Sequence, residues 1–227
     1  MAAEDLAQIA SKMRTEWDER ARENARFYVN TASTEWSDDE FFETGERNIE
    51  QYILTDMGNI CQGKPPEQMS VLEIGCGAGR LTRALARVFG QVYAVDVSPE
   101  MIQIAKDKLA AQPNVHLYNN NGVDLAVLPD VTFDFAFSYI VFQHIPSFEV
   151  LLSYCREVAH RLRPGGLFKF QVQGCKEPGL QTDTWIGVGV SESDAAELAR
   201  ASGFEHRYSN GIGTQYYWLW FFKSPDA

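Results

Sequence analysis

The chain is short of basic residues, of paired cysteines and of long apolar runs. Lys and Arg together number 20 against 31 Asp and Glu, giving a formal net charge of −11 over 227 residues. Phosphate-binding surfaces need a basic footprint, so no nucleic-acid partner is expected. An anionic membrane surface is excluded on the same ground, and the acidity is expected to serve solubility. No stretch approaches the roughly 20 apolar residues that span a bilayer. The opening Met1-Ala2-Ala3-Glu4-Asp5 is acidic and lacks an apolar signal segment, so a cytoplasmic location is expected. Cys61, Cys76, Cys155 and Cys175 are scattered, with no C-x-x-C pair. A disulfide framework is therefore not expected, and a reducing compartment fits. No His and Asp cluster has ligand spacing, so no metal is expected.

What is present is a globular chain, 45% hydrophobic and 22% charged, long enough for one domain with a cap. Its most informative stretch is Val71-Leu72-Glu73-Ile74-Gly75-Cys76-Gly77-Ala78-Gly79-Arg80. A short apolar run predicts a buried strand. Glycines follow at every second position, and Leu81, Ala84, Leu85 and Val88 then read as a helix. Strand, glycine turn and helix make a nucleotide-binding unit, because glycines permit a tight turn and a close backbone approach to a ligand. About twenty residues on, a second strand, Val92-Tyr93-Ala94-Val95-Asp96, ends in a carboxylate placed to accept from both ribose hydroxyls. Two cofactors fit such a unit. A dinucleotide prefers G-x-G-x-x-G, but Arg80 stands at the third glycine's position, and Glu73 before the turn disfavours a pyrophosphate. S-adenosylmethionine has no phosphate, and an acid there suits an ammonium or sulfonium.

The rest of the chain supplies the frame. Leu6, Ile9, Met13, Trp17, Ala21 and Ala25 predict one long amphipathic helix over 4–30. Ser37 with Glu40 makes a capping box for a second helix from Asp38. Gly63-Lys64-Pro65-Pro66 is the best internal boundary, separating a helical N-terminal extension or lid, 1–63, from a core, 64–227. In the core, strands are expected at 71–75, 91–96, 115–118, 133–139 and 167–172, with closing strands at 204–208 and 215–222. Helices alternate with them: 79–89, one from Ser98-Pro99 to about Ala111, one from Ser147 to Leu162, and one capped by Ser191. That alternation implies a doubly wound parallel sheet with its ligand site at the carboxyl ends of the strands.

With these pieces placed, residues 66–223 resemble the class I S-adenosylmethionine-dependent methyltransferases. Glu73 to Gly79 matches the family's E/D-x-G-x-G-x-G turn. Asp96-Val97-Ser98-Pro99-Glu100-Met101 resembles its second motif, Phe133-Asp134-Phe135-Ala136-Phe137-Ser138 its fourth, and Arg163-Pro164-Gly165-Gly166 the turn before its fifth strand. The resemblance implies a Rossmann-like α/β fold: a seven-stranded, mostly parallel sheet with helices on both faces and the last strand antiparallel. It implies S-adenosylmethionine as cofactor and S-adenosylhomocysteine as product. It places the backbone of Gly75, Cys76, Gly77, Gly79 and Arg80 near the methionine portion, Glu73 and the Ser138 backbone on its ammonium, and Asp96 on the ribose. It also puts Val97 and Met101 on the adenine, and Asn121-Gly122 at its edge, where the family usually has Asp-Ala.

The acceptor has to be read outside these motifs. His144, in Gln143-His144-Ile145-Pro146, is the candidate general base; otherwise it is a hydrogen-bonded ring supporting the loop. Trp17, Tyr28 and Trp36 are expected to face the cleft from the N-terminal helices. Tyr139, Gln143 and Trp185 complete an acceptor wall suited to a small apolar or ring-containing molecule. The stretch 173–190, which includes Leu180 and Trp185, has no clear element and is expected to be functional. Three readings stay open: a small-molecule methyltransferase, a non-catalytic S-adenosylmethionine-binding protein, and an NAD(P)-dependent oxidoreductase.

Overall fold

A computed structural model describes residues 3–175 and 182–225. The apolar runs form the strands of one seven-stranded sheet: β1 (Ser70–Ile74), β2 (Gln91–Asp96), β3 (Val115–Asn119), β4 (Phe133–Ser138), β5 (Leu162–Val172), β6 (Phe204–Asn210) and β7 (Tyr217–Lys223). Their order is β3-β2-β1-β4-β5-β7-β6. The first five strands run parallel, and β7 is antiparallel to both of its neighbours. The order reverses beside β1, which opens a crevice at the carboxyl ends of β1 and β4.

Period-two alternation gives the sheet two apolar faces. Phe135, Phe137, Leu167 and Trp218 pack on α4 (Arg80–Val88) and on Ile49, Ile53 and Ile60. Ala136, Phe168, Phe170, Leu219 and Phe221 pack on α6 (Phe148–Arg161) and α7 (Glu192–Ser202). On the N-terminal side lie α1 (Ala3–Val29), α2 (Asp38–Tyr52) and the short α3 (Met57–Cys61). A third cluster joins α1 and α2 to α5 (Pro99–Leu109), through Ala21, Ala25, Phe41, Phe42, Met101 and Leu109. The caps read from the sequence form: Ser98 Oγ accepts from Met101 N, and Ser37 and Glu40 make a reciprocal box. Lys64, in the expected boundary segment, donates to both oxygens of Asp134 at 2.9 and 2.8 Å. No helix among the described residues is long and apolar enough to cross a membrane.

The structure departs from the expected elements in three places. The first helix is broken at Asn24 (φ −164°, ψ 84°), whose side-chain oxygen accepts from Phe27 N at 3.1 Å and caps a new short turn. β5 begins at Leu162, which pairs with Phe133, so Arg163-Pro164-Gly165-Gly166 is a bulge within the strand and α6 stops at Arg161. The final strand starts at Tyr217, because Gln215 and Tyr216 belong to the turn that brings β7 back against β6. The segment after β5 is tied down: Gly187 N donates to Gln143 O at 2.8 Å, Val188 N to Ile145 O at 2.9 Å and Val190 N to Gln173 O at 2.7 Å. Leu180 lies outside the described residues.

Candidate active site

A cleft lies where the topology puts it. Its floor is Ile74, Gly75, Cys76 and Gly77 after β1, Asp96 and Val97 after β2, and Tyr139, Ile140 and Val141 after β4. Its roof is Met13, Trp17, Tyr28 and Val29 of α1. The roof is fastened at both ends. Asp18 accepts from Ser98 Oγ and from Glu100 N on the α5 side, and Arg20 donates to Thr184 Oγ1 at 2.9 Å on the other.

The glycine turn is what lets the roof and the loop after β4 close in. Gly75 and Gly77 have φ of +78° and +52°, and a Cβ on them would fall 2.3 Å from Val141 and 2.7 Å from Val29. The turn's amides are directed inward. Gly75 N and Cys76 N donate to Val95 O at 2.8 and 3.0 Å, Gly77 N to Asp96 Oδ2 at 2.8 Å and Gly79 N to Cys76 O at 3.0 Å. A pyrophosphate cradle needs free backbone N–H groups, and these four are spent.

Besides His144, four buried polar side chains line the cleft. Asp96 also accepts from Ser98 N at 2.9 Å, yet burial lifts its carboxyl from an ordinary 3.8 to about 6. Glu73 accepts from Thr82 Oγ1 at 2.6 Å, and burial lifts it to about 7. Arg80 is 4% exposed; it donates only to neutral partners, Thr44 Oγ1 at 3.2 Å and Asn48 Oδ1 at 2.6 Å, and its Nε has no partner. Burial lowers its pKa to about 10. Asn120 donates to Tyr154 Oη at 2.7 Å and leaves its carboxamide oxygen buried and unpartnered. An unpaired buried polar atom costs about 1–3 kcal/mol, and Arg80 Nε and Asn120 Oδ1 are two such atoms in the cleft.

Of the residues singled out from the sequence, Glu73, Gly75, Cys76, Gly77, Arg80, Asp96, Val97, Met101, Tyr139, His144, Trp17 and Tyr28 line this one cleft. Others stand just behind it. Gly79 caps α4 at φ +83°, and Ser138 is fully buried with its hydroxyl on Ile74 O at 2.8 Å. Gln143 is buried against His144, and Trp185 packs on His144 and Trp17 at ring-centroid distances of 5.2 and 6.3 Å. Trp36 does not face the cleft. Its indole donates to Asn30 O at 2.9 Å and it packs on the Phe41 and Phe42 cluster, because the chain has already turned away at residues 30–33. Asn121 and Gly122 are also absent from the lining. The oxygen of Asn121 accepts from Val123 N and Asp124 N, both at 2.9 Å, making it a turn residue. The cleft residue is Asn120. Register alone could have found it: Asn119 pairs with Asp96, so Asn120 is the first residue past the strand end, as Val97 is after β2. Val29 and Tyr154 were missed too, with no local signal to announce them.

Both ring nitrogens of His144 are engaged. Nδ1 lies 2.6 Å from Trp185 O and Nε2 3.1 Å from Gln143 Nε2. Burial lowers its pKa to about 4, so the ring is neutral. Among the described residues, no group of three metal-ligating side chains comes together.

Comparison with known proteins follows these lines. Residues 71–166 match a family of methyltransferase domains. The ubiquinone biosynthesis O-methyltransferase of Xanthomonas campestris pv. campestris (strain B100) is 34% identical over 97 residues, 42% of this chain and 39% of that protein. The enzyme of the same name from Xanthomonas axonopodis pv. citri (strain 306) is 31% identical over 102 residues, 44% and 41% of the two chains. The chain thus spans about two fifths of the length of these curated relatives. Among solved structures, magnesium protoporphyrin IX methyltransferase from Synechocystis PCC 6803 with bound S-adenosylhomocysteine superposes with a TM-score of 0.66 at 17% identity, covering 93% of this chain and 98% of that one. The DhpI–S-adenosylhomocysteine complex gives 0.62 at 19% identity, over 99% and 100%. At such identities the likeness is one of fold. Sheet order and glycine turn agree with that likeness: the fold is that of the solved methyltransferases, and residues 71–166 match a methyltransferase domain.

Proposed function

We propose that the cleft binds S-adenosylmethionine and that the protein transfers its methyl group to a small-molecule acceptor, leaving S-adenosylhomocysteine. The observation that carries this reading is the set of buried polar groups along one cleft, each of which meets a different part of that cofactor. Asp96 would accept from the ribose hydroxyls, with Val97 and Met101 against the adenine. Asn120 Oδ1, buried and unpartnered, would accept from the adenine's exocyclic amine. Glu73 would hold the ammonium, and a cation there would return its raised carboxyl to the ionised form. Arg80 would meet the methionine carboxylate with its free Nε. When bound, the sulfonium supplies an already activated methyl group, so the protein's part is alignment and exclusion of water.

The remaining lining is apolar and aromatic: Trp17, Tyr28, Val29, Tyr139, Ile140 and Val141, with His144 and Trp185 behind. Such a wall suits a ring-containing or apolar acceptor. Ubiquinone and a porphyrin, in the names of the relatives above, are both ring compounds, which supports the same class. In this reading the N-terminal helices of residues 1–63 are a lid on the core of 64–227, and Met13, Trp17, Tyr28 and Val29 are its inner face.

Two experiments on the purified chain test the reading. Mass spectrometry of ligand released on denaturation should find S-adenosylmethionine or S-adenosylhomocysteine. Methyl-labelled cofactor incubated with a panel of phenols, catechols and other ring-bearing hydroxyl compounds should give acceptor-dependent S-adenosylhomocysteine. Binding without turnover across the panel would favour a non-catalytic binding protein, and copurified dinucleotide would overturn the cofactor assignment.

A further inference from the structure

His144 stands at the end of a hydrogen-bond chain that admits only one direction. The Trp185 carbonyl 2.6 Å from Nδ1 can only accept, so Nδ1 carries the proton. Nε2 must then accept, and Gln143 Nε2 donates to it at 3.1 Å. That fixes the Gln143 amide, whose oxygen accepts from Gln171 Nε2 at 2.5 Å. The Gln171 oxygen in turn accepts from Ile140 N at 3.1 Å. Both ends of the relay are backbone groups whose roles cannot reverse, a peptide N–H at Ile140 and a peptide carbonyl at Trp185.

The setting makes the relay costly to break. Gln171 is 0% exposed one residue before the end of β5, and its amide also donates to the Gln215 carbonyl. Ile140 has φ +55°, a left-handed conformation that a β-branched residue adopts only under constraint, and Gln171 holds its N–H. To protonate His144, Nε2 would have to donate. Gln143 would then have to flip, pointing its NH2 at the NH2 of Gln171 and leaving two buried groups unpaired.

We propose that Gln171 and Gln143 are positioning residues that hold His144 as a neutral, Nδ1-protonated ring, so that it forms a wall of the acceptor site and does not serve as general base. The inference rests on reading the cleft as a methyl-transfer site. Its consequence is that the ring's lone pair faces Gln143 and not an acceptor. The plane so fixed sets the aromatic wall: His144 meets Trp17 edge-on at 5.4 Å between centroids and Trp185 at 5.2 Å. The relay thus ties the loop after β4 and the segment around Trp185 to the sheet through one buried amide.

The test reads the imidazoles by NMR on the whole, unliganded chain. The four histidines are His116, His144, His160 and His206. Wild-type His144 should show the Nδ1–H tautomer and a titration midpoint well below 6, with Arg20 and Asp183 the charged groups facing the ring. Gln143→Leu removes the direct donor. Gln171→Leu removes only its support and does not touch the ring. Gln171→Leu frees Gln143 to turn its oxygen toward Nε2 and should raise the His144 midpoint by about one pH unit, leaving the other three in place. Gln143→Leu supplies no acceptor and should leave the midpoint low. Thermal unfolding checks that each variant is folded, and Gln171→Met replaces Gln171→Leu if that one is not. An Nε2–H tautomer in the wild type overturns the proposal. So does a folded Gln171 variant that loses stability with the His144 midpoint unmoved, since that is what a merely structural glutamine would give. Should the wild type bind no S-adenosylmethionine, the reading of the cleft fails while the tautomer still decides the relay.

Discussion

Replacing Asp96 by Asn should remove a pH-dependent loss of stability from the ligand-free protein while weakening its hold on the cofactor. Asp96 lies beneath the glycine turn at 9% exposure, accepting from Gly77 N at 2.8 Å and Ser98 N at 2.9 Å. Even with those two bonds, burial lifts its carboxyl from 3.8 to about 6, with the nearby Asp18 adding to the lift. The folded chain therefore binds this proton more tightly than the unfolded chain does. Stability is present in full below pH 3.8 and falls as pH rises through about 6. At about 1.4 kcal/mol per pH unit, the ionised group costs the folded state about 3 kcal/mol at pH 7 and above. A carboxamide never ionises, but its NH2 cannot accept, so one of the two backbone N–H groups that Asp96 holds loses its partner, at about 1–3 kcal/mol. Asp96→Asn should therefore be the less stable protein near pH 4. Between pH 4 and pH 8 it should gain about 3 kcal/mol on the wild type, roughly 6–12 °C in melting temperature for a chain of this size.

Affinity should move the other way. The ribose hydroxyls would lose a charged acceptor, and one of them would lose its acceptor altogether. That is worth about 2–3 kcal/mol, or about 10²-fold in the dissociation constant for S-adenosylhomocysteine. Thermal unfolding from pH 4 to pH 8, with calorimetric titration at pH 7.5, reads both quantities. A stability difference from wild type that stays the same from pH 4 to pH 8, with unchanged affinity, would refute the reasoning and leave Asp96 as a brace of the turn.

Arg80→Met should weaken S-adenosylhomocysteine by about 10- to 100-fold, the scale of one charge-assisted bond, as measured by calorimetry. Asn120→Ala should cost about 1–2 kcal/mol of cofactor binding, whereas Asn121→Ala should alter loop stability and leave affinity in place. Trp36→Phe should lower the melting temperature by a few degrees, of order 1 kcal/mol for one indole hydrogen bond, with cofactor affinity unchanged. In Trp17→Ala, hydrogen exchange should show residues around 182–190 losing protection, because Trp17 and Arg20 stack against Trp185 there.

Much of this was legible in the chain because it is written in local pattern. The run Val71 to Ile74, three alternate glycines and the strand ending at Asp96 fix one unit, and the turn chemistry of Ser98-Pro99 fixes the next. What escaped depends on contacts distant in sequence. Three consecutive asparagines look alike until Asn119 is set opposite Asp96. Ala21 and Ala25 share a helical face on either side of Asn24, so periodicity hides the break that turns Tyr28 and Val29 over the cleft. Trp36 is an unremarkable aromatic until its indole is seen to bond back to Asn30. His144 stays open between base and supporting ring in the sequence because its neighbourhood there says nothing of Trp185 or Gln171.

The central claim is that this cleft holds a sulfonium nucleoside and not a dinucleotide, and a calorimetric titration tests it most directly. S-adenosylmethionine and S-adenosylhomocysteine are each titrated into the chain, with NADH as the contrast. Saturable binding of the first two, one per chain, and none of NADH is the predicted result. Tighter binding of NADH would contradict the account, since Glu73 repels a pyrophosphate and the inward-turned amides of Gly75, Cys76 and Gly77 offer it no cradle.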